Sequence, residues 1–224
     1  MLWLLVSLFF CWLIWREFRL RRVARRGYDR PIDTPVSKPY IAALLVLALL
    51  FAWTPFKYWR FERFLSAKAS LLADGKRAVV HCNTVFDTFF DRETLAAGHA
   101  NPLTGQIVLQ HPYCGELMDF IDSPARPQPK GIVSLNIFTH ESMHIRGELN
   151  EALTECQSVQ RNARAAVLLG VPEVFARKAA TEYYQRYYLR RVGGEGFNAV
   201  YASDQCAPGK AMDERLADST WRAH

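Results

Sequence analysis

Residues 139–155 read THESMHIRGELNEALTE, and the placement of Gly147 within them decides how the chain must fold. His140 and His144 are four apart, so on a helix they lie about 40° from each other and one turn apart. On one unbroken helix positions 140, 144, 151 and 155 would share a face about 60° wide. Glu151 would then sit about 10 Å along the axis from His144, at 1.5 Å per residue, too far to meet a common ion. The stretch therefore predicts a break. Gly147 can take a left-handed conformation at no steric cost and end the first helix about one turn after His144. Glu151 then enters in the first turn of a second helix, where its side chain can reach back.

The spacing carries chemistry. Two imidazoles one turn apart can bind one tetrahedral metal at about 2.0–2.1 Å, and a catalytic site of this kind needs a third protein ligand and an open fourth position. Downstream the chain offers Glu148, Asn150, Glu151 and Glu155. Asn is a poor zinc ligand, and Glu155 lies a further turn away, which leaves Glu151 as the favoured third donor. Glu141 follows the first His and projects beside the metal position, where it can take a proton from an activated water. HESMH is the H-E-x-x-H arrangement of zinc metallopeptidases. HESMH followed by NEALTE resembles the gluzincin, or thermolysin-like, branch of that group. The resemblance implies His140, His144 and Glu151 as Zn²⁺ ligands, Glu141 as general base, and Glu155 as the carboxylate that orients a ligand imidazole. It covers about seventeen residues. Only six residues separate His144 from Glu151, a shorter connection than thermolysin-like enzymes use. The stretch also partly matches the metzincin pattern H-E-x-x-H-x-x-G-x-x-H, with Gly147 in place and Asn150 where the third His belongs.

Charge and hydropathy set the frame around this motif. Of the formal +6, residues 16–38 supply +5 (eight basic, three acidic), and Pro39 to His224 holds 20 basic against 19 acidic residues. A folded part that close to neutral gives no footprint for nucleic acid. Arg outnumbers Lys by 21 to 7, a bias that fits a GC-rich bacterial source. Residues 1–15 and 39–56 carry no charged side chain. Eighteen helical residues span roughly 27 Å, close to the hydrocarbon thickness of a bilayer. A cleaved signal peptide would want charge before its apolar run and small residues after it. Here WREFRLRRVARR follows. The expectation is a transmembrane hairpin over residues 1–56, with spans near 1–15 and 39–56 and a basic cytoplasmic loop at 16–38. Lys57, Arg60, Arg63 and Lys68 after the second span weigh the other way, but the loop has twice as many basic residues. The domain at 57–224 is thus placed outside the plasma membrane of a multi-pass protein.

Cysteines point the same way. Cys11 lies in the first apolar run, leaving Cys82, Cys114, Cys156 and Cys206, an even number that an oxidising compartment would staple. Of the three pairings, sequence proximity favours Cys82–Cys114 with Cys156–Cys206. Four reduced thiols in a cytosolic domain are the alternative.

The remaining pattern predicts an α+β, mostly helical domain with a small sheet. Lys57–Gly75 reads as an amphipathic juxtamembrane helix presenting Phe61, Phe64, Leu65 and Leu72. AVVHCNTVF (78–86) and QIVLQ (106–110) read as strands, and SPARPQPKG (123–131) as a surface loop. Three helices follow, near 134–146, 149–169 and from Pro172 toward Gly193, with a short helix near 212–217 in an irregular tail. QIVLQ is the expected edge strand for a peptide substrate. His81, Cys82, His111 and Cys114 could make a second zinc site, but a disulfide is the simpler use of the thiols. Tyr183, Tyr184, Tyr187 and Tyr188 read as core, although one hydroxyl could serve an oxyanion. The leading expectation is a membrane-anchored zinc metallopeptidase acting on peptide or protein. A non-catalytic sensor or scaffold with a structural metal, its fourth position filled by Glu155 or Cys156, is the alternative. A disulfide-stapled envelope domain with a chance motif comes third.

Overall fold

An apolar stretch starting at Pro39 and an amphipathic one ending at Leu72 share a single helical period, and they fold as one rod. In the computed structural model, which describes residues 2–27, 37–91, 96–194 and 200–221, that rod is α2 (Lys38–Leu72), with Pro55 inside it. The expected juxtamembrane helix is therefore a continuation of the span. Its buried stripe is Leu65, Ala69, Leu72 and Ala73, whereas Phe64 stays about one-third exposed, at 36%.

The chain forms two compact units, Met1–Arg60 and Phe61–His224. In the first, α1 (Leu2–Gly27) lies against α2: Ser7 Oγ donates to the Ala48 carbonyl at 2.9 Å, and the Trp3 and Phe10 rings stack on Phe51. Among the described residues one helix, α2, is long and apolar enough to cross a membrane, not the two expected. The apolar run of α1 stops at Trp15, and the turn after it carries Arg16, Glu17 and Arg19. Helix also continues to Gly27 through what was expected to be loop, of which residues 28–36 lie outside the described residues.

The second unit is a mostly helical α+β domain with a three-stranded sheet in the order β1-β3-β2. β1 (Val79–Cys82) runs parallel to β3 (Gln106–Leu109), and β2 (Gly98–Asn101) pairs antiparallel on its other side. β1 stops at Cys82 instead of Phe86 because Thr84 and Asp87 form a capping box that opens α3 (Val85–Phe90). The turn between β2 and β3 requires Gly105. Its φ is +76°, and a Cβ there would lie 2.3 Å from the Arg77 carbonyl oxygen.

Two disulfides are present, Cys82–Cys114 and Cys156–Cys206, the pairing that sequence proximity favoured. The first ties β1 to α4 (Tyr113–Asp122) and so uses the thiols that a second metal site would need; His81 pairs with Glu62 instead. Next comes α5 (Pro129–Arg146), five residues earlier than Ser134, because a proline in the first turn gives up no intrahelical hydrogen bond. α6 (Glu151–Leu168), α7 (Glu173–Tyr183) and a π-helical turn at Tyr184–Tyr188 complete the helical layer. Residues 212–217 are irregular, not a helix. The second disulfide and the pairs Arg161–Glu214 and Arg164–Asp218 hold this tail on α6.

Candidate metal centre

α5 ends where glycine lets it. Gly147 has φ +118°, its N–H caps back onto Met143 and His144, and Glu148 and Leu149 reverse the chain. Asn150 caps α6 by accepting from Leu153 N–H at 3.0 Å, so its side chain belongs to the helix end, and Glu151 is the first residue of α6. The reversal brings three donors together. His140 Nε2 lies 3.1 Å from His144 Nε2 and 3.2 Å from Glu151 Oε2, and His144 Nε2 lies 3.5 Å from the same oxygen. Donors at about 2.0–2.1 Å from a tetrahedral ion are about 3.3 Å from one another. His140, His144 and Glu151 could thus hold a metal ion with little movement.

The far side of each imidazole fixes which nitrogen faces the common point. His140 Nδ1 donates to Glu155 Oε2 at 2.9 Å, and His144 Nδ1 donates to the Glu148 carbonyl at 2.8 Å. Both Nε2 atoms are thereby turned toward Glu151. Glu155 is buried and densely held. It accepts from Asn136 Nδ2 at 3.1 Å, from Tyr183 Oη at 2.7 Å and from Arg191 at 3.1 Å. Burial works against its charge, but His140, Arg191 and Tyr183 outweigh that and lower its pKa. Burial likewise works against a charged His140, yet the hydrogen bonds that it donates to Glu151 and Glu155 push its pKa up to about 10. For His144, burial and then the neighbouring His140 charge lower the pKa, while the His140 hydrogen bond lowers that of Glu151. A carboxylate-rich site that draws one proton onto an imidazole pair has the negative potential a cation needs.

These side chains floor a cleft of about 530 Å³ that Glu141 also lines. Glu141 is buried on the turn of α5 next to His140. The opposite wall is β2, not QIVLQ: β3 occupies the middle of the sheet, and β2 forms the edge, with Gly98, His99 and Ala100 in the cleft. Gly98 permits this approach. A Cβ there would fall 2.9 Å from Ile137 Cγ2 and 3.4 Å from Glu141 Cγ.

Sequence reasoning missed Asn136, Arg191, Tyr201 and β2. Asn136 had a signal, since 136, 140 and 144 follow one another at four-residue spacing on α5. Tyr201, whose ring centroid lies 5.8 Å from that of His140, comes from the irregular tail and had none. Of the expected tyrosine cluster, Tyr183 and Tyr188 are buried in the core, whereas Tyr184 and Tyr187 are half-buried. Tyr183 bonds Glu155, Tyr184 Oη donates to the Cys206 carbonyl and Tyr188 Oη to the Ser203 carbonyl. Comparison with protein-family models, curated proteins and solved structures found no match.

Proposed function

We propose that this protein is a membrane-anchored zinc-dependent metallopeptidase. One observation carries the reading: two imidazole nitrogens and a carboxylate oxygen converge at tetrahedral-edge distances in a cleft that Glu141 shares. Two His and one carboxylate suit zinc among biological metals, and leave a fourth position for solvent or substrate. Bound there, zinc would supply a lowered pKa for water and polarisation of a peptide carbonyl. The chain's own residues do the rest. Glu141 accepts the proton of the attacking water and returns it to the leaving amine. Glu155 holds the His140 ring against rotation, itself fixed by Asn136, Tyr183 and Arg191. As an outer strand of the sheet, β2 would offer main-chain groups to an extended peptide and so bring a carbonyl over the ligand trio.

The anchor is α2, with α1 packed along its first half. The two disulfides favour an extracytoplasmic domain, hence the hairpin with a cytoplasmic basic segment. A structural metal is less well supported. Glu155 is already engaged by Asn136, His140, Ser158, Tyr183 and Arg191, and Cys156 is in a disulfide, so neither is available to close the fourth position.

Glu141→Gln is the test. Hydrolysis of a peptide library by the purified full-length protein should fall by about 100-fold or more, with bound zinc unchanged at one equivalent. Unchanged hydrolysis would remove Glu141 from the mechanism. Zinc binding with no hydrolysis in the unsubstituted protein would favour the non-catalytic reading.

A further inference from the structure

α3 is built inside out. Val85, Phe86, Phe89 and Phe90 fall within about 140° of the helical wheel, and they are 59, 70, 76 and 78% exposed. The other side carries Asp87 and Thr88, of which Thr88 is half-buried and turned toward the domain. Thr88 Oγ1 accepts from His111 N–H at 3.0 Å, and at the helix end Asp91 accepts from Asn83 and Gln110 at 2.9 and 3.0 Å. No residue of α3 is buried. A short helix of a water-soluble surface arranges these faces the other way, and three exposed phenylalanines on six residues mark a surface that is covered in use.

The register of β1 says what covers it. β1 runs antiparallel to α2, back toward the end of the unit where the chain comes in at Phe61. Ala78 N–H donates to Ser70 Oγ at 2.9 Å, Val80 N–H to Ser66 Oγ at 2.8 Å, and Cys82 N–H to Glu62 Oε1 at 2.8 Å. Three residues after Cys82 the chain starts α3. Along α2 itself Glu62 is five residues, about 7.5 Å, beyond Lys57, where the uncharged stretch ends. The headgroup layer occupies about that depth on each side of a bilayer. Around the same boundary α2 exposes Trp53, Phe56 and Trp59, the aromatic residues favoured at a membrane interface, with Lys57, Arg60 and Arg63 to meet anionic headgroups.

We propose that α3 is a second membrane contact: Val85, Phe86, Phe89 and Phe90 enter the headgroup–acyl boundary of the bilayer that α2 crosses. The proposal rests on the membrane reading of α2. It assigns α3 the role of a foot that fixes the tilt of the domain, with a lipid surface as its partner. Six residues are too few to bind a membrane by themselves, but beside a span the contact is intramolecular and needs little affinity.

The test uses full-length protein with Cys11→Ser, the one free thiol, so that an introduced cysteine is labelled alone. Bimane is attached at Phe89→Cys or, as a control, at Lys178→Cys on the exposed side of α7. Both proteins are reconstituted in vesicles of phosphatidylcholine with a minority of phosphatidylglycerol. Resistance to alkaline carbonate extraction reports on α2, and quenching by nitroxide-labelled lipid or by iodide in the buffer reports on α3. The expected result is lipid quenching at position 89 about twofold or more above position 178, with the reverse order for iodide. Equal lipid quenching in carbonate-resistant protein overturns the foot and leaves the span standing. Protection from both quenchers assigns the patch to a second protein chain and also overturns it. Extraction by carbonate removes the span and the foot together.

Discussion

Gly147 makes the trio of donors possible because its φ of +118° is one that L side chains rarely adopt. Gly147→Ala introduces a strain of about 1–3 kcal/mol, and its Cβ would meet Lys76 Nζ at 3.1 Å. The flexible lysine can withdraw, so the backbone conformation dominates. We expect the variant to fold with a lower Tm and to bind zinc more weakly than it loses stability, since relaxing the turn moves Glu151 away from the imidazoles. Isothermal titration with zinc alongside thermal melts separates the two effects. Unchanged zinc affinity would mean that the ligand geometry does not depend on this turn. The residues at this scale were legible in the sequence because they are local. His140, His144 and Glu151 lie within twelve positions, and helical geometry with one glycine relates them. Arg191 and Tyr201 were not legible, because they reach the cleft through long-range packing that no local period encodes.

Elements were read well where one period governed a long run and poorly where pairing overrode propensity. α6 begins within two residues of expectation because Asn150 is a strong cap. β2 was missed because GHAN has almost no strand preference; its backbone is held by β3, from Gly98 opposite Leu109 to Asn101 opposite Gln106. The tail was read as irregular, which it is, and charge helps the Cys156–Cys206 disulfide keep it in place. Arg164 donates to both oxygens of Asp218 at 2.7 and 2.6 Å, and this hydrogen bonding lowers the Asp218 pKa. A carboxyl whose pKa is lower in the folded state stabilises the fold above its unfolded pKa of about 3.9 and loses that contribution as pH falls through the folded value. Asp218→Asn should therefore be less stable than the unsubstituted protein at pH 7, by no more than about 1 kcal/mol for so exposed a pair. The gap should narrow to nothing as pH drops below the folded pKa. Urea unfolding across that range measures it, and a gap that widens in acid would show the sign to be wrong.

At the scale of the molecule, charge segregates from chemistry: the basic excess is in residues 16–38 and the site lies in a nearly neutral domain. Under the proposed topology, with the basic segment inside, the domain would lie outside. A cysteine introduced at exposed Lys210, with Cys11→Ser, should react with an impermeant maleimide in intact cells, whereas protection until lysis would invert the topology. The two disulfides close over 32 and 50 residues, while the three donors of the metal site span only twelve. That difference orders assembly. Contacts local in sequence form before those that must first close long loops. Two helices and the turn at Gly147 are enough to bring the three donors together, but the cleft around them waits for the sheet edge and for the stapled tail that carries Tyr201. If the proposed metallopeptidase reading holds, the donor trio would be assembled before the cleft is complete, and hydrolytic capacity would develop last, once the fold around it is closed.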